Sequence, residues 1–269
     1  MYVRTNQFPN TLGTYGLGAF SEARSAEERI REDDFESVLR VLAGTSPWQQ
    51  FIVPNLRVAR QNIPRRPFRV VKRAEFEQTM RALGDQSDVS HIPGVTDKRT
   101  GIITMQEWFG INSQATFLGA ALHEAVHLVS HQPGRGTRHN STGWGIFGEG
   151  LLEGIVECVT LDILNAQRIA LARQNMRGHL RRLPVAIELL RLFSRPLIGR
   201  VLFEGDFQQF MLLMHHTFSV TGWQEIQTLT TANNPERAIQ RMSELSAAQT
   251  RQRNVQQQNL FRQSPARTP

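Results

Sequence analysis

At 269 residues, with 40% apolar side chains and a mean hydropathy of −0.35, the chain is long enough for one sizeable core and reads as a soluble globular protein. Its net charge of +7 is spread through Arg-rich stretches without interleaved aromatics, so nucleic acid is not an expected partner and the charge is only a weak pointer to an acidic one. No apolar run approaches the roughly 20 residues of a membrane helix, and no basic patch precedes an apolar stretch at the N-terminus, so neither a membrane span nor a Sec-type signal is expected.

Residues 1–24 lack periodicity and are rich in Gly, Thr and Asn, which predicts a loosely docked arm or leader. Ala26 to Leu42 reads as a helix of mixed charge, and the Pro- and Arg-rich Arg57 to Arg69 reads as a loop into the core. Phe68-Arg69-Val70-Val71 predicts a short strand, and Ala74 to Leu83 a helix that stops at Gly84. Between His91 and Met105, two β-like runs flank a polar turn closed by Gly101, the pattern of a hairpin.

The most informative stretch follows. His123-Glu124-Ala125-Val126-His127 spells H-E-x-x-H inside Phe117 to Val129, an apolar helix-forming run whose only charge is Glu124. Residues four apart share one helix face, so both imidazoles can point at one ion. Zn²⁺ accepts neutral imidazole nitrogens, and a catalytic site needs three protein ligands with a position left for water. Glu124, directly after the first ligand, can reach that water as a base. The bland alternative is a helix with two spare histidines, but Ala121, Leu122, Ala125, Val126, Leu128 and Val129 predict burial, where unpaired polar groups are costly. His131 fails as the third ligand, because His123 to His131 spans about 12 Å of helix axis. Pro133 stands where a metzincin would have its third His.

Residues 131–147, HQPGRGTRHNSTGWGIF, read as an irregular loop whose Arg135, Arg138 and His139 are candidates to contact a substrate or stabilise an oxyanion. A second apolar helix then carries Glu149, Glu153 and Glu157 at four-residue spacing. Three acids on one stripe repel, and a nearby cation would remove the conflict. Cys158, the only cysteine, excludes an internal disulfide and a Cys-rich zinc site.

With H-E-x-x-H followed by Glu153-Gly154-Ile155-Val156-Glu157, the chain resembles gluzincin-type zinc metallopeptidases, in which a Glu on a following helix, within a phrase E-G-x-x-E, completes the site. The resemblance covers roughly residues 64–165, under half of the chain. It implies that His123, His127 and Glu153 bind Zn²⁺, that Glu124 activates water, and that Glu157 orients a ligand His. Glu149-Gly150-Leu151-Leu152-Glu153 spells the same phrase one turn earlier, so Glu149 is the alternative third ligand; Gly145, Gly148 and Gly150 place the helix start near Glu149 and favour Glu153. Gluzincins commonly stabilise the oxyanion with a distant Tyr or His. Tyr2 and Tyr15 lie far upstream, which leaves His215, His216 and His139 as candidates. The order strand, helix, hairpin, motif helix also resembles the zincin sheet subdomain, whose strand before the motif helix borders the cleft and pairs with substrate. That role falls on Ile102, Ile103, Thr104 and Met105.

Beyond Leu164, Arg168 to Leu192 and Gly199 to Phe218 read as helices broken near Pro184 and at Ser194-Arg195-Pro196, and Pro235 to Ala248 as another. Arg251 to Pro269, Gln/Arg-rich and poor in apolar residues, is expected to be disordered. The expected organisation is an α+β, zincin-like chain, mostly helical, with a small mixed sheet before the motif helix. Residues 1–24 form the arm, 25–165 the catalytic core, 166–250 a helical subdomain and 251–269 the tail. The expected activity is hydrolysis of a protein or peptide substrate. Resemblance to bacterial effector metallopeptidases adds the expectation of delivery by a secretion or injection apparatus, the alternative location being the cytoplasm. The competing expectation is a non-enzymatic basic helical protein that binds RNA or a protein partner and carries a structural or degenerate metal site.

Overall fold

A computed structural model describes residues 32–62, 68–85, 88–97, 100–107, 114–131, 146–169 and 181–263. In chain order these form α1 (Glu32–Ala43), α2 (Gln49–Asn62), β1 (Phe68–Val71), α3 (Arg73–Ala82), a 3₁₀ turn (Val89–His91), β2 (Gly94–Thr96), β3 (Ile103–Gln106), α4 (Gln114–His131), α5 (Glu149–Ala166), α6 (Leu183–Phe193), α7 (Arg195–Gly199), a π turn (Arg200–Glu204), α8 (Gln208–Thr231) and α9 (Pro235–Gln263). The class is α+β, mostly helical with one small mixed sheet. Among the described residues no helix is long and apolar enough to cross a membrane.

The sheet has the order β1-β3-β2. β1 runs parallel to β3, with Phe68 opposite Ile103 and Val71 opposite Gln106, while β2 is antiparallel to β3, with Gly94 opposite Met105 and Thr96 opposite Ile103. The hairpin closes through Asp97 N–H on Ile102 O at 2.9 Å and Gly101 N–H on Asp97 O at 2.7 Å. Gly101 sits at φ 72°, a backbone setting that glycine adopts without a Cβ clash. All four residues of β3 are buried, because α3 covers one side of the sheet and α4 the other. Buried Gln106 satisfies its amide by donating to Val89 O and to Ile92 O at 2.7 Å, which pins the turn ahead of β2.

Helix α4 lacks an amphipathic stripe because it is enclosed on all sides. From Phe117 to Val129 every residue is buried, against α1, α2, α5 and the sheet. Trp48, fully buried ahead of α2, donates through Nε1 to Asp162 of α5 at 2.9 Å, and Arg195 of α7 donates to the same carboxylate at 3.0 Å. The C-terminal helices set the start of α5: Trp223 Nε1 and Gln227 Nε2 of α8 donate to Ile146 O at 2.9 and 2.7 Å, and Phe147 packs edge-on to Phe210. One hydrophobic cluster runs from Phe35 to Met242, so the helices beyond residue 165 share their core with α4 and α5.

Several expectations change. Part of the predicted loop from Arg57 is helical, since α2 runs to Asn62 with Pro54 inside it. Pro184 lies in the first turn of α6, where its missing N–H is harmless, and so begins a helix there. The break at Ser194 is present, and a further one occurs at Ser219, where φ 61° interrupts α8 and the Ser219 hydroxyl caps Gly222 N–H at 3.2 Å. Residues 251–263 of the expected disordered tail continue α9 as helix. The arm, residues 1–24, lies outside the described residues.

Gly154 explains how tightly α5 and α6 approach. A Cβ there would lie 2.8 Å from Arg182 O and 3.2 Å from the Ala186 Cβ, so the two helices meet with no space for a methyl group. Gly154→Ala is expected to cost about 1–3 kcal/mol through overpacking, read as a lower Tm of the purified protein. An unchanged Tm would mean that α6 yields freely.

Candidate metal centre

Helix α4 presents His123 and His127 one turn apart, and α5 packs against that face with Glu153 and Glu157 one turn apart on its own. Three ligand atoms converge. His123 Nε2 lies 3.1 Å from Glu153 Oε2, His127 Nε2 lies 3.3 Å from the same oxygen, and the two Nε2 atoms are 3.2 Å apart. These residues form a group that can hold a metal ion.

The donor triangle fits that reading quantitatively. Ligand atoms about 2 Å from a tetrahedral metal ion stand about 3.3 Å apart, close to all three edges of the triangle. Without a cation or proton at the centre, three lone-pair-bearing atoms at these separations repel. His123 Nδ1 meets Glu157 Oε2 at 3.0 Å. That carboxylate favours a proton on Nδ1 and turns the Nε2 lone pair toward the triangle. Glu157 is fully buried, and its second oxygen has no hydrogen-bond partner among the described residues.

Electrostatics agree with a site built for positive charge. Burial opposes a charged His123, yet the carboxylates of Glu153 and Glu157 outweigh it and raise the metal-free imidazole to about 10. Burial likewise opposes a charged Glu153, but the two imidazoles hold its carboxyl well below the usual carboxylate range. Both imidazoles are buried and the Glu153 side chain is 15% exposed.

Glu124 lies beside this group, buried, with Oε2 accepting from Thr96 Oγ1 at 2.7 Å; the same hydroxyl lies 3.0 Å from Glu124 O. Thr96 and Gly94 occupy alternate positions of β2 facing α4. A Cβ on Gly94 would strike Met105 Sδ and come within 3.3 Å of Glu124 Cγ. Sequence reasoning missed Thr96; its one visible signal was a polar residue on the inward face of a short β run.

The structure separates the other candidates. Glu149 opens α5 and is exposed, outside the donor group. His215 and His216 are exposed on α8, whose buried side carries Phe210, Met214 and Phe218, and His216 Nδ1 accepts from Gln249 of α9 at 2.9 Å; neither joins the donor group. His139, with Arg135 and Arg138, lies outside the described residues. The expectation that Ile102, Ile103, Thr104 and Met105 border the cleft is corrected. β3 is the central strand, bonded to β1 on one side and β2 on the other, so its backbone has no free edge. The hairpin folds its first strand to the outside, and β2 is therefore the edge beside α4. Gln106 N–H bonds Pro93 O and Asp97 N–H bonds Ile102 O, so by antiparallel alternation the main-chain groups of Gly94 and Thr96 face away from β3.

Cys158, next to Glu157, is not part of the donor group. Burial first, then the charges of Asp162 and Glu157, push its thiol from an ordinary value near 9 up to about 12. The folded thiol is expected to resist a thiol-reactive dye at pH 8 and to react fully after denaturation. Rapid labelling of the native protein would contradict this burial.

Comparison with protein-family models, with curated proteins and with solved structures finds no match for this chain.

Proposed function

We propose that this chain is a gluzincin-type zinc metallopeptidase in which His123, His127 and Glu153 hold the ion. The carrying observation is the triangle of two imidazole nitrogens and one carboxylate oxygen with edges of 3.1–3.3 Å. A zinc ion bound there supplies Lewis acidity toward a carbonyl and lowers the pKa of water into the neutral range. Glu124 takes the proton of the attacking water and delivers it to the departing amine. Glu157 keeps His123 in the tautomer that offers Nε2.

Support for zinc over harder cations comes from the donor set: two imidazoles with one carboxylate suit zinc, whereas magnesium and calcium take oxygen ligands. The test is metal content together with activity. Protein dialysed against zinc is expected to retain about one ion per chain, and to cleave members of a random peptide library. A strong chelator is expected to abolish cleavage and added zinc to restore it. Failure to retain zinc, or cleavage indifferent to chelation, would overturn the proposal.

A further inference from the structure

We infer that Thr96 is a positioning residue that sets the orientation of the Glu124 carboxylate, an inference that rests on the peptidase reading above. The hydroxyl lies 2.7 Å from Glu124 Oε2 and 3.0 Å from Glu124 O. A hydroxyl has one proton to give. Donated to Oε2, it holds one carboxylate oxygen and leaves the other to accept a proton from water. Thr96 is 6% exposed and Glu124 8%, so bulk water does not readily replace this donor.

Position strengthens the case. Thr96 lies on β2, an edge strand among the described residues, with its N–H and C=O turned away from β3 while its side chain reaches α4. One residue thus touches the base through its hydroxyl while its main chain belongs to the strand. Gly94, its neighbour on the same strand face, leaves the room that Met105 Sδ occupies, with Glu124 Cγ 3.3 Å from where its Cβ would stand. Strand β2 therefore fixes the position of the hydroxyl relative to the group that takes the proton. Its two contributions are separable, because removing the hydroxyl leaves the main chain intact.

That separation defines the experiment. In zinc-loaded protein, Thr96→Val is expected to lower kcat by about 10- to 100-fold, with KM near the wild-type value and zinc content unchanged. Thr96→Ser, which keeps the hydroxyl, is expected to recover kcat. A merely structural Thr96 would predict a lower Tm with kcat intact in the Val variant, and that result overturns the inference. A second measurement does not need turnover. If Thr96 donates to the Glu124 carboxylate, Thr96→Val and Glu124→Ala are non-additive in denaturant unfolding of the zinc-loaded protein; strict additivity overturns the inference. Should the wild type cleave no peptide, the peptidase reading falls, and the unfolding cycle still decides whether Thr96 holds the carboxylate.

Discussion

Glu124→Gln is expected to retain its metal and to lose kcat by about 10²–10⁴-fold, the range that a positioned general base contributes. The substitution preserves shape, and its amide oxygen can still accept from the Thr96 hydroxyl that lies 2.7 Å from Oε2 in the parent. An amide, however, cannot take a proton from water at neutral pH. Glu124 is not a member of the donor triangle, so the ion is held as before by His123, His127 and Glu153. Metal analysis and steady-state kinetics on the same preparation check both halves. A variant that loses zinc along with activity would mean that Glu124 supports the site rather than serving as its base. A fully active variant would remove Glu124 from the mechanism.

What could be read in advance follows the range of the interactions. The His123–His127 pair rests on a one-turn repeat, and the Glu153–Glu157 pair on another, so local spacing was enough to propose each half. Their convergence depends on burial. An apolar helix with an acidic stripe needs somewhere to place its charges, and the structure solves this by depth: Glu157 fully buried, Glu153 partly, Glu149 exposed. The sheet was harder. Strands of three and four residues carry too little alternation to reveal which one lies in the middle, and β3, buried throughout, shows none. The edge role consequently fell on the wrong half of a correctly placed hairpin. Thr96 escaped notice for a related reason, since its partner is 28 residues away across a helix–strand contact that no local pattern encodes. In α2, the Pro- and Arg-rich composition from Arg57 onward read as a loop, whereas burial of Phe51, Ile52, Leu56 and Ala59 holds the helix in place to Asn62.

Glu153→Ala is expected to weaken zinc binding by more than the roughly 10–100-fold that loss of an outer hydrogen-bond partner costs, because it removes one of three direct ligands. The variant keeps both imidazoles, 3.2 Å apart in the parent, but loses the oxygen that completes the triangle at 3.1 and 3.3 Å. Competition with a coloured chelator measures the change. Glu149→Ala is the matched comparison, since Glu149 is exposed at the start of α5 and is expected to keep wild-type affinity. The reverse outcome, with Glu149→Ala losing zinc and Glu153→Ala keeping it, would exchange the two acids. Protons supply an independent check. Metal-free His123, raised to about 10 by Glu153 and Glu157 against the pull of burial, is an imidazolium at pH 7, so an incoming ion has to displace that proton. Zinc affinity is therefore expected to fall as pH drops below about 10 and the charged ring becomes the dominant form. Loading at pH 7 is expected to release a proton, detectable as a dependence of calorimetric binding heat on buffer ionisation enthalpy. Removing Glu153 takes away one of the two carboxylates that oppose burial, so the ring becomes easier to deprotonate.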